Sequence, residues 1–147
     1  MKNLLITGAN GFVGSALVQT LAKRQDYLVH AAVRADTDSK KMATFPANVQ
    51  VHTGCELDPD TDWTNALDDI HPVIHCAARV HVMHEQASDP LQAFRQVNVA
   101  GTLALAQQAA RMGVRRFVYL SSLKVNGEQT QAGKPFNADD TPHPCDP

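Results

Sequence analysis

Thr7-Gly8-Ala9-Asn10-Gly11-Phe12-Val13-Gly14 is the stretch on which the fold turns. A short apolar run, Lys2 to Thr7, precedes it and reads as a buried strand. A segment from Phe12 to Arg24 follows, with Val13, Leu17, Val18 and Leu21 on one helical face. Strand, glycine turn and helix in that order open a nucleotide-binding βαβ unit. Glycines at three-residue spacing let backbone N–H groups approach a diphosphate where a Cβ would clash. The helix N-terminus adds roughly half a positive charge, which suits the same anion.

Working outward, the sequence predicts further strands at Tyr27 to Val33, Val49 to His52, Val73 to Ala77 and Val114 to Ser121. Asp60-Thr61-Asp62 can cap a helix through Leu67. Ser88-Asp89-Pro90 opens a long helix from about Leu91 to Met112, which Gly113 ends. Strands alternating with helices imply right-handed crossovers around a parallel sheet. The expected fold is therefore α/β, a Rossmann-type doubly wound sheet in the order 3-2-1-4-5, with ligands at the carboxyl ends of the strands near the reversal. Leu91, Phe94, Val97, Val99, Leu103, Leu105, Ala106, Ala109 and Ala110 spread around much of the long helix. One sheet face needs only one apolar stripe, so a second buried face is expected, such as the interface of a homodimer or another self-association. The dinucleotide-binding unit is expected over 1–122. Residues 123–147 read as a loop-like tail, which holds Pro135, Pro142, Pro144 and Pro147, half of the eight prolines.

Composition narrows the function. The chain has 147 residues, enough for one domain, and its 44% hydrophobic and 19% charged residues are those of a folded protein. Thirteen basic residues against fifteen acidic ones, a net charge of −2, argue against a nucleic-acid binder. No apolar run is long enough to span a membrane or to act as a signal peptide. Cys55, Cys76 and Cys145 form no C-x-x-C pair and read as reduced thiols in a cytoplasmic protein.

About 20 residues after the glycines, an acid at the end of the second strand would bind the ribose hydroxyls of NAD. Here stand Arg34, Ala35 and Asp36. A guanidinium suits a 2′-phosphate or stacking on adenine, so Arg34 leans the expectation from NAD toward NADP. The other reading leaves Arg34 in solvent with Asp36 on the ribose.

Four motifs in order carry a family resemblance: Thr-Gly-x-x-Gly-Phe-x-Gly, His75-Cys76-Ala77-Ala78, Asn98-Val99-Ala100-Gly101-Thr102, and Ser121-Ser122-Leu123-Lys124-Val125-Asn126-Gly127. Together they resemble the extended short-chain dehydrogenase/reductases, in their NAD-dependent epimerase/dehydratase branch, over essentially the whole chain. Arg79 to Glu85 and the Ser-Ser-Leu-Lys segment are similar to 4-epimerases of UDP-glucose or UDP-N-acetylglucosamine. The resemblance implies that Gly8, Gly11, Phe12, Val13 and Gly14 hold the pyrophosphate and that Arg34 faces the adenosine ribose. Glu56-Leu57 would meet the adenine, with Asp58 as the competing register. Cys76 to Val80, including Ala77 and Ala78, would line the nicotinamide ribose side. Asn98, in the long helix, would help shape the strand 4 region under the cofactor. Ser122 matches the catalytic Ser/Thr that hydrogen-bonds the substrate hydroxyl.

The resemblance also implies a base: a Tyr with a Lys four residues on. A Tyr of ordinary pKa, about 10, is a poor base at neutral pH without such a neighbour. Tyr27 is followed four residues on by Ala31, and Tyr119 by Leu123. The pair is expected beyond Pro147, with the substrate-binding part. The chain is thus expected to hold the cofactor half of an enzyme acting on a nucleoside-diphosphate sugar, and to turn over no substrate alone. The alternative is a non-catalytic NAD(P)-binding regulatory module. Of the weaker patterns, His75, His81, His84 and Glu85 lack a zinc signature, so no metal is expected. His75 and Trp63 read as packed residues.

Overall fold

A computed structural model of the chain describes residues 1–80 and 88–145. Five parallel strands form one sheet: β1 (Lys2–Thr7), β2 (Tyr27–Ala32), β3 (Gln50–His52), β4 (Ile70–His75) and β5 (Arg116–Tyr119). Their order is β3-β2-β1-β4-β5, as the alternation of elements predicts. The reversal between β1 and β4 opens a crevice at the carboxyl edge. Leu4, Leu5 and Ile6 of β1 are all buried because both faces of the central strand are covered. On one face Leu4, Ile6, Val29, Ala31 and Val33 pack with Val18 of α1 (Phe12–Leu21). On the other, Leu5, Ala32 and Val73 pack with Trp63, Leu67, Leu105 and Ala109. Burying each large aliphatic side chain contributes about 1.5–3 kcal/mol, so the two clusters hold α1 and the long helix against opposite faces.

Two short helices flank β3: α2 (Ser39–Met42), which the sequence reading missed, and α3 (Thr64–Leu67). Asp38 caps α2 by accepting from the Lys40 N–H. The N-cap of α3 is Trp63, which offers no side-chain cap; from the expected capping stretch, Asp62 accepts from the Thr64 N–H and hydroxyl just ahead of the helix. Strand β4 begins at Ile70 rather than Val73, and it contains Pro72. The β1–β4 register shifts between Asn3–Ile70 and Leu5–Val73, so the proline, which has no N–H to donate, sits at an irregularity in the ladder. Strand β5 is shorter than expected, since the chain leaves the ladder after Tyr119.

The long helix begins at Pro90, with the Asp89 carboxylate accepting from the Gln92 N–H. It is not one uninterrupted α-helix. A short α4 (Pro90–Phe94) widens into a π-helical segment, Arg95–Gly101, before α5 (Thr102–Arg111) resumes. Gly113, at φ +81°, ends it, with the Val114 N–H returning to the Ala109 carbonyl. Leu91, Val99 and Leu103 lie exposed on this helix, while Leu105 and Ala109 are buried. Beyond β5 a 3₁₀ turn, Leu123–Asn126, departs from the expectation of pure loop. The His143 N–H bonds the Val125 carbonyl and folds the tail back over that turn. Among the described residues no helix is long and apolar enough to cross a membrane.

Burial of histidines makes this fold acid-sensitive. His75 is 1% exposed, and burial pushes its pKa down to about 4. His30 and His52 are lowered in the same way, by burial first, and for His30 also by the neighbouring His52. The unfolded chain takes up these protons near pH 6.5, whereas native His75 stays neutral until about pH 4. Stability is therefore full above pH 6.5 and falls as pH drops toward 4, by on the order of 3 kcal/mol from His75 alone. Urea midpoints measured from pH 7.5 to 4.5 should fall steadily, and more shallowly in His75→Gln; a flat profile in the native chain would contradict this burial.

Candidate functional site

The glycine loop is built by close approach. Gly8 adopts the left-handed φ of +62°, and a Cβ there would sit 2.8 Å from the Ala77 nitrogen and 3.0 Å from the Cys76 carbonyl carbon. A Cβ on Gly14 would drive into the Gly8 carbonyl. The loops after β1 and β4 and the first turn of α1 therefore meet backbone to backbone, and only glycine fits at both positions. The Gly11 N–H closes the turn on the Gly8 carbonyl at 2.9 Å. Gly11 is the N-cap of α1, and no side chain caps the helix or places an acid in its first turn. Its positive end is left open at the carboxyl edge, between Phe12 and Val13, which are both exposed. The loop is tied to the end of β2 by Ala9 N–H to the Ala32 carbonyl and by Asn10 Nδ2 to Thr37 Oγ1.

A buried chain of hydrogen bonds runs beneath the crevice. The Ala77 N–H donates to Thr7 Oγ1 (3.3 Å), and Thr7 Oγ1 lies 2.6 Å from His75 Nδ1. His75 Nε2 lies 3.0 Å from Thr102 Oγ1. In the neutral ring one nitrogen donates and the other accepts, so of Thr7 and Thr102 one hydroxyl receives a proton from His75 and the other gives one. His75 thus joins β1, β4 and the long helix, packed between the rings of Phe117 and Tyr119. It is the packed residue that the sequence predicts.

The Asn98-x-x-Gly101-Thr102 motif acts from the helix side. The Asn98 amide brackets the Arg79 backbone, accepting from its N–H at 2.8 Å and donating to its carbonyl at 3.0 Å. It thereby fixes the path of Ala78, Arg79 and Val80, of which Ala78 and Val80 are exposed toward the edge. Gly101 presses on the loop after β3: a Cβ there would lie 2.7 Å from the Leu57 carbonyl carbon. Three residues on one helix segment thus position the ends of β3 and β4. The sequence motif includes all three but a role was assigned to Asn98 alone; the signal for the others was their spacing of three and four residues, which stacks them on one helical face. Cys76 is half-buried and its thiol is pushed up by burial, so its side chain packs rather than reacts.

At the end of β2, Arg34 is exposed and pairs with Asp36 at 3.2 Å. Glu56 reaches across from the end of β3, and its Oε1 accepts from the Ala35 N–H at 2.7 Å. Leu57 beside it is buried. Ser122 leaves the sheet at the same carboxyl edge, past the His75–Tyr119 pairing of β4 and β5. It is exposed, and its hydroxyl accepts from the Lys124 N–H at 3.2 Å. The structure thus brings the glycine loop, Arg34, Glu56, Leu57, Cys76 to Val80 and Asn98 to one edge, with Ser122 entering from β5. His81, His84 and Glu85 lie outside the described residues.

The family model for the NAD dependent epimerase/dehydratase family matches residues 4–147. A UDP-glucose 4-epimerase of Vibrio cholerae is 41% identical over 145 residues, 99% of this chain and 42% of that protein. A 3 beta-hydroxysteroid dehydrogenase/Delta 5-->4-isomerase of Mycobacterium tuberculosis is 35% identical over 138 residues, 90% of this chain and 35% of that protein. Among solved structures, a UDP-glucuronic acid 4-epimerase of Bacillus cereus, in complex with UDP-glucuronic acid and NAD, superposes with a TM-score of 0.77 at 26% identity, covering 97% of this chain and 46% of that one. The chain spans less than half the length of each of these relatives. The sheet order, the glycine packing and a match over nearly every residue agree, and the chain belongs to the NAD dependent epimerase/dehydratase family.

Proposed function

We propose that this chain is the dinucleotide-binding part of an epimerase or dehydratase acting on a nucleoside-diphosphate sugar. The observation that carries the reading is the open N-terminus of α1, held against β1 and β4 by glycines that leave no room for a Cβ. The first-turn N–H groups there, with Gly8, Gly11, Phe12, Val13 and Gly14, would bind the pyrophosphate. Arg34, Glu56 and Leu57 border the adenosine end, and Cys76, Ala77, Ala78 and Val80 the nicotinamide ribose. Asn98 holds that last segment in place through Arg79. A bound nicotinamide would supply reversible hydride transfer. The chain's own part in the chemistry is Ser122, whose hydroxyl would orient a sugar hydroxyl at the crevice. Residues 1–122 would carry the cofactor and 123–147 the approach to the substrate. The exposed Leu91, Val99 and Leu103 would serve self-association. Three free thiols fit a cytoplasmic setting. The sugar substrate rests on the 41% identity to a UDP-glucose 4-epimerase.

Two outcomes follow. NADH fluorescence titrated against the 147-residue chain should saturate. Gly11→Asp should weaken binding at least roughly tenfold without unfolding, because Asp is a favourable N-cap whose charge occupies the anion site. Saturation unaffected by Gly11→Asp would place the ligand elsewhere. The chain with saturating NAD should not convert UDP-glucose to UDP-galactose, since neither Tyr27 nor Tyr119 has a lysine four residues on. Conversion in a coupled assay would contradict that expectation, and binding with no conversion even in a longer chain would favour the regulatory reading.

A further inference from the structure

We propose that the paired imidazoles of His30 and His52 act as a proton-operated latch, which fastens the edge strand β3 to β2 when both rings are neutral and releases it when they are protonated. The consequence for ligand binding rests on the dinucleotide reading above, because the segment released with β3 carries Glu56 and Leu57 at the adenosine end.

The geometry is specific. His30 lies between Val29 and Ala31, which pack toward α1. By the alternation of a strand its ring projects to the opposite face, the layer of Trp63 and Leu105. It is 6% exposed. Its Nδ1 lies 2.9 Å from Nε2 of His52, and the two rings stack with centroids 5.2 Å apart. Strand β3 has only three residues, in register as His30–Gln50, Ala31–Val51 and Ala32–His52. Gln50 and Val51 are exposed, so His52 is the one residue of that strand that turns inward. A strand this short at the end of the sheet depends on that contact. Beyond it the Cys55 N–H returns to the Val33 carbonyl, and Glu56 Oε1 accepts from the Ala35 N–H. Loss of the latch therefore frees both strand ends that border the adenosine.

Added protons undo the contact in two steps. The neutral pair shares one proton between its facing nitrogens. A first added proton leaves an imidazolium in a buried layer, and a second sets N–H against N–H. His30 Nε2 is buried with no hydrogen-bond partner among the described residues, so nothing there takes up the charge. Burial lowers the pKa of both rings, and His52 lowers that of His30 further. Asp69, whose carboxylate accepts from Asn3 Nδ2 at 2.8 Å, works the other way, on His30 alone. The flanking elements also carry His71, Asp62, Asp68 and Arg111, none of which acts on either ring. The released rings take up protons near pH 6.5 while the latched ones resist, so the latch holds above that pH and weakens as pH falls below it.

Hydrogen exchange on the ¹⁵N-labelled chain reads the latch directly. Protection factors, which remove the intrinsic pH dependence of exchange, are compared at pH 7.5 and 5.5 for the Val33 and Cys55 amides, which bond across β2 and β3. Both should be less protected than the Cys76 amide, which bonds Thr7 between β1 and β4, and both should fall by at least about thirtyfold. In His52→Gln, which keeps a hydrogen-bonding side chain and loses one titrating ring, the fall should be about tenfold or less. With His30→Gln added it should be about twofold or less. Should the double variant fail to fold, His52→Gln at the sheet edge carries the comparison. Protection of Val33 and Cys55 equal to that of Cys76 at both pH values, or a pH dependence unchanged in His52→Gln, would overturn the latch. Saturating NAD, whose phosphates and adenine do not titrate over this range, should raise both protection factors at pH 5.5 by at least about tenfold. NAD that shifts Gly8 to Gly14 without raising them would overturn the coupling to the ligand. NAD that shifts nothing would overturn the dinucleotide reading, while the ligand-free profile still decides the latch.

Discussion

Everything at the carboxyl edge depends on how closely three pieces of backbone approach one another. Gly8 rests on the Cys76–Ala77 peptide, and Gly14 rests on Gly8. One Cβ at either position would push α1 away from β1, or the loop after β4 away from both. The N–H groups at the start of α1 would then no longer border the crevice between β1 and β4. Anion binding at a helix terminus depends on geometry within the first turn, so a displacement of an ångström or two would remove it. The glycines are here for contact, and the left-handed φ of Gly8 is part of the same requirement.

The second determinant is the helix facing that loop. Its π-helical stretch, Arg95–Gly101, holds Asn98 and Gly101, and Thr102 follows directly. Each of the three residues has a separate target: the Arg79 backbone, the Leu57 backbone and the His75 ring. A single element thereby registers the loops after β3 and β4 against each other. π-Helical insertions are often found where a helix serves a site in this way. The histidine chain completes the link by tying Thr7 of β1 to the same helix. Its cost is acid sensitivity, because burial disfavours the charged imidazolium.

Much of this was legible in the sequence, for identifiable reasons. The five strands and their order follow from apolar runs alternating with helical periodicity, and the glycine loop from spacing in that context. The start of β4 was misjudged because His71-Pro72 interrupts the apolar run; in the sheet the proline lies where the β1–β4 register shifts. The π-segment left no signal because Val97, Val99 and Ala100 are compatible with any helical winding. Asn98 was visible as a motif residue, but its partner is backbone, which no side-chain pattern encodes. Glu56 was visible as an adenine-side acid. Its bond to Ala35 depends on two strand ends 21 residues apart in the chain lying side by side. Arg34 illustrates the converse: its place at the end of β2 was legible, but its pairing with Asp36 at 3.2 Å, both side chains exposed, was not.

The central claim is that this edge, and not another surface, receives a dinucleotide. Backbone amide mapping by ¹H–¹⁵N NMR on the labelled chain, with and without NADH, tests it most directly. The account predicts shifts concentrated at Gly8 to Gly14, Ala35 to Leu57 at the ends of β2 and β3, and Ala77 to Val80. Val118 and the segment 129–140 should remain unmoved. Shifts centred on the tail or on the exposed face of the long helix, or none at saturating NADH, would contradict it.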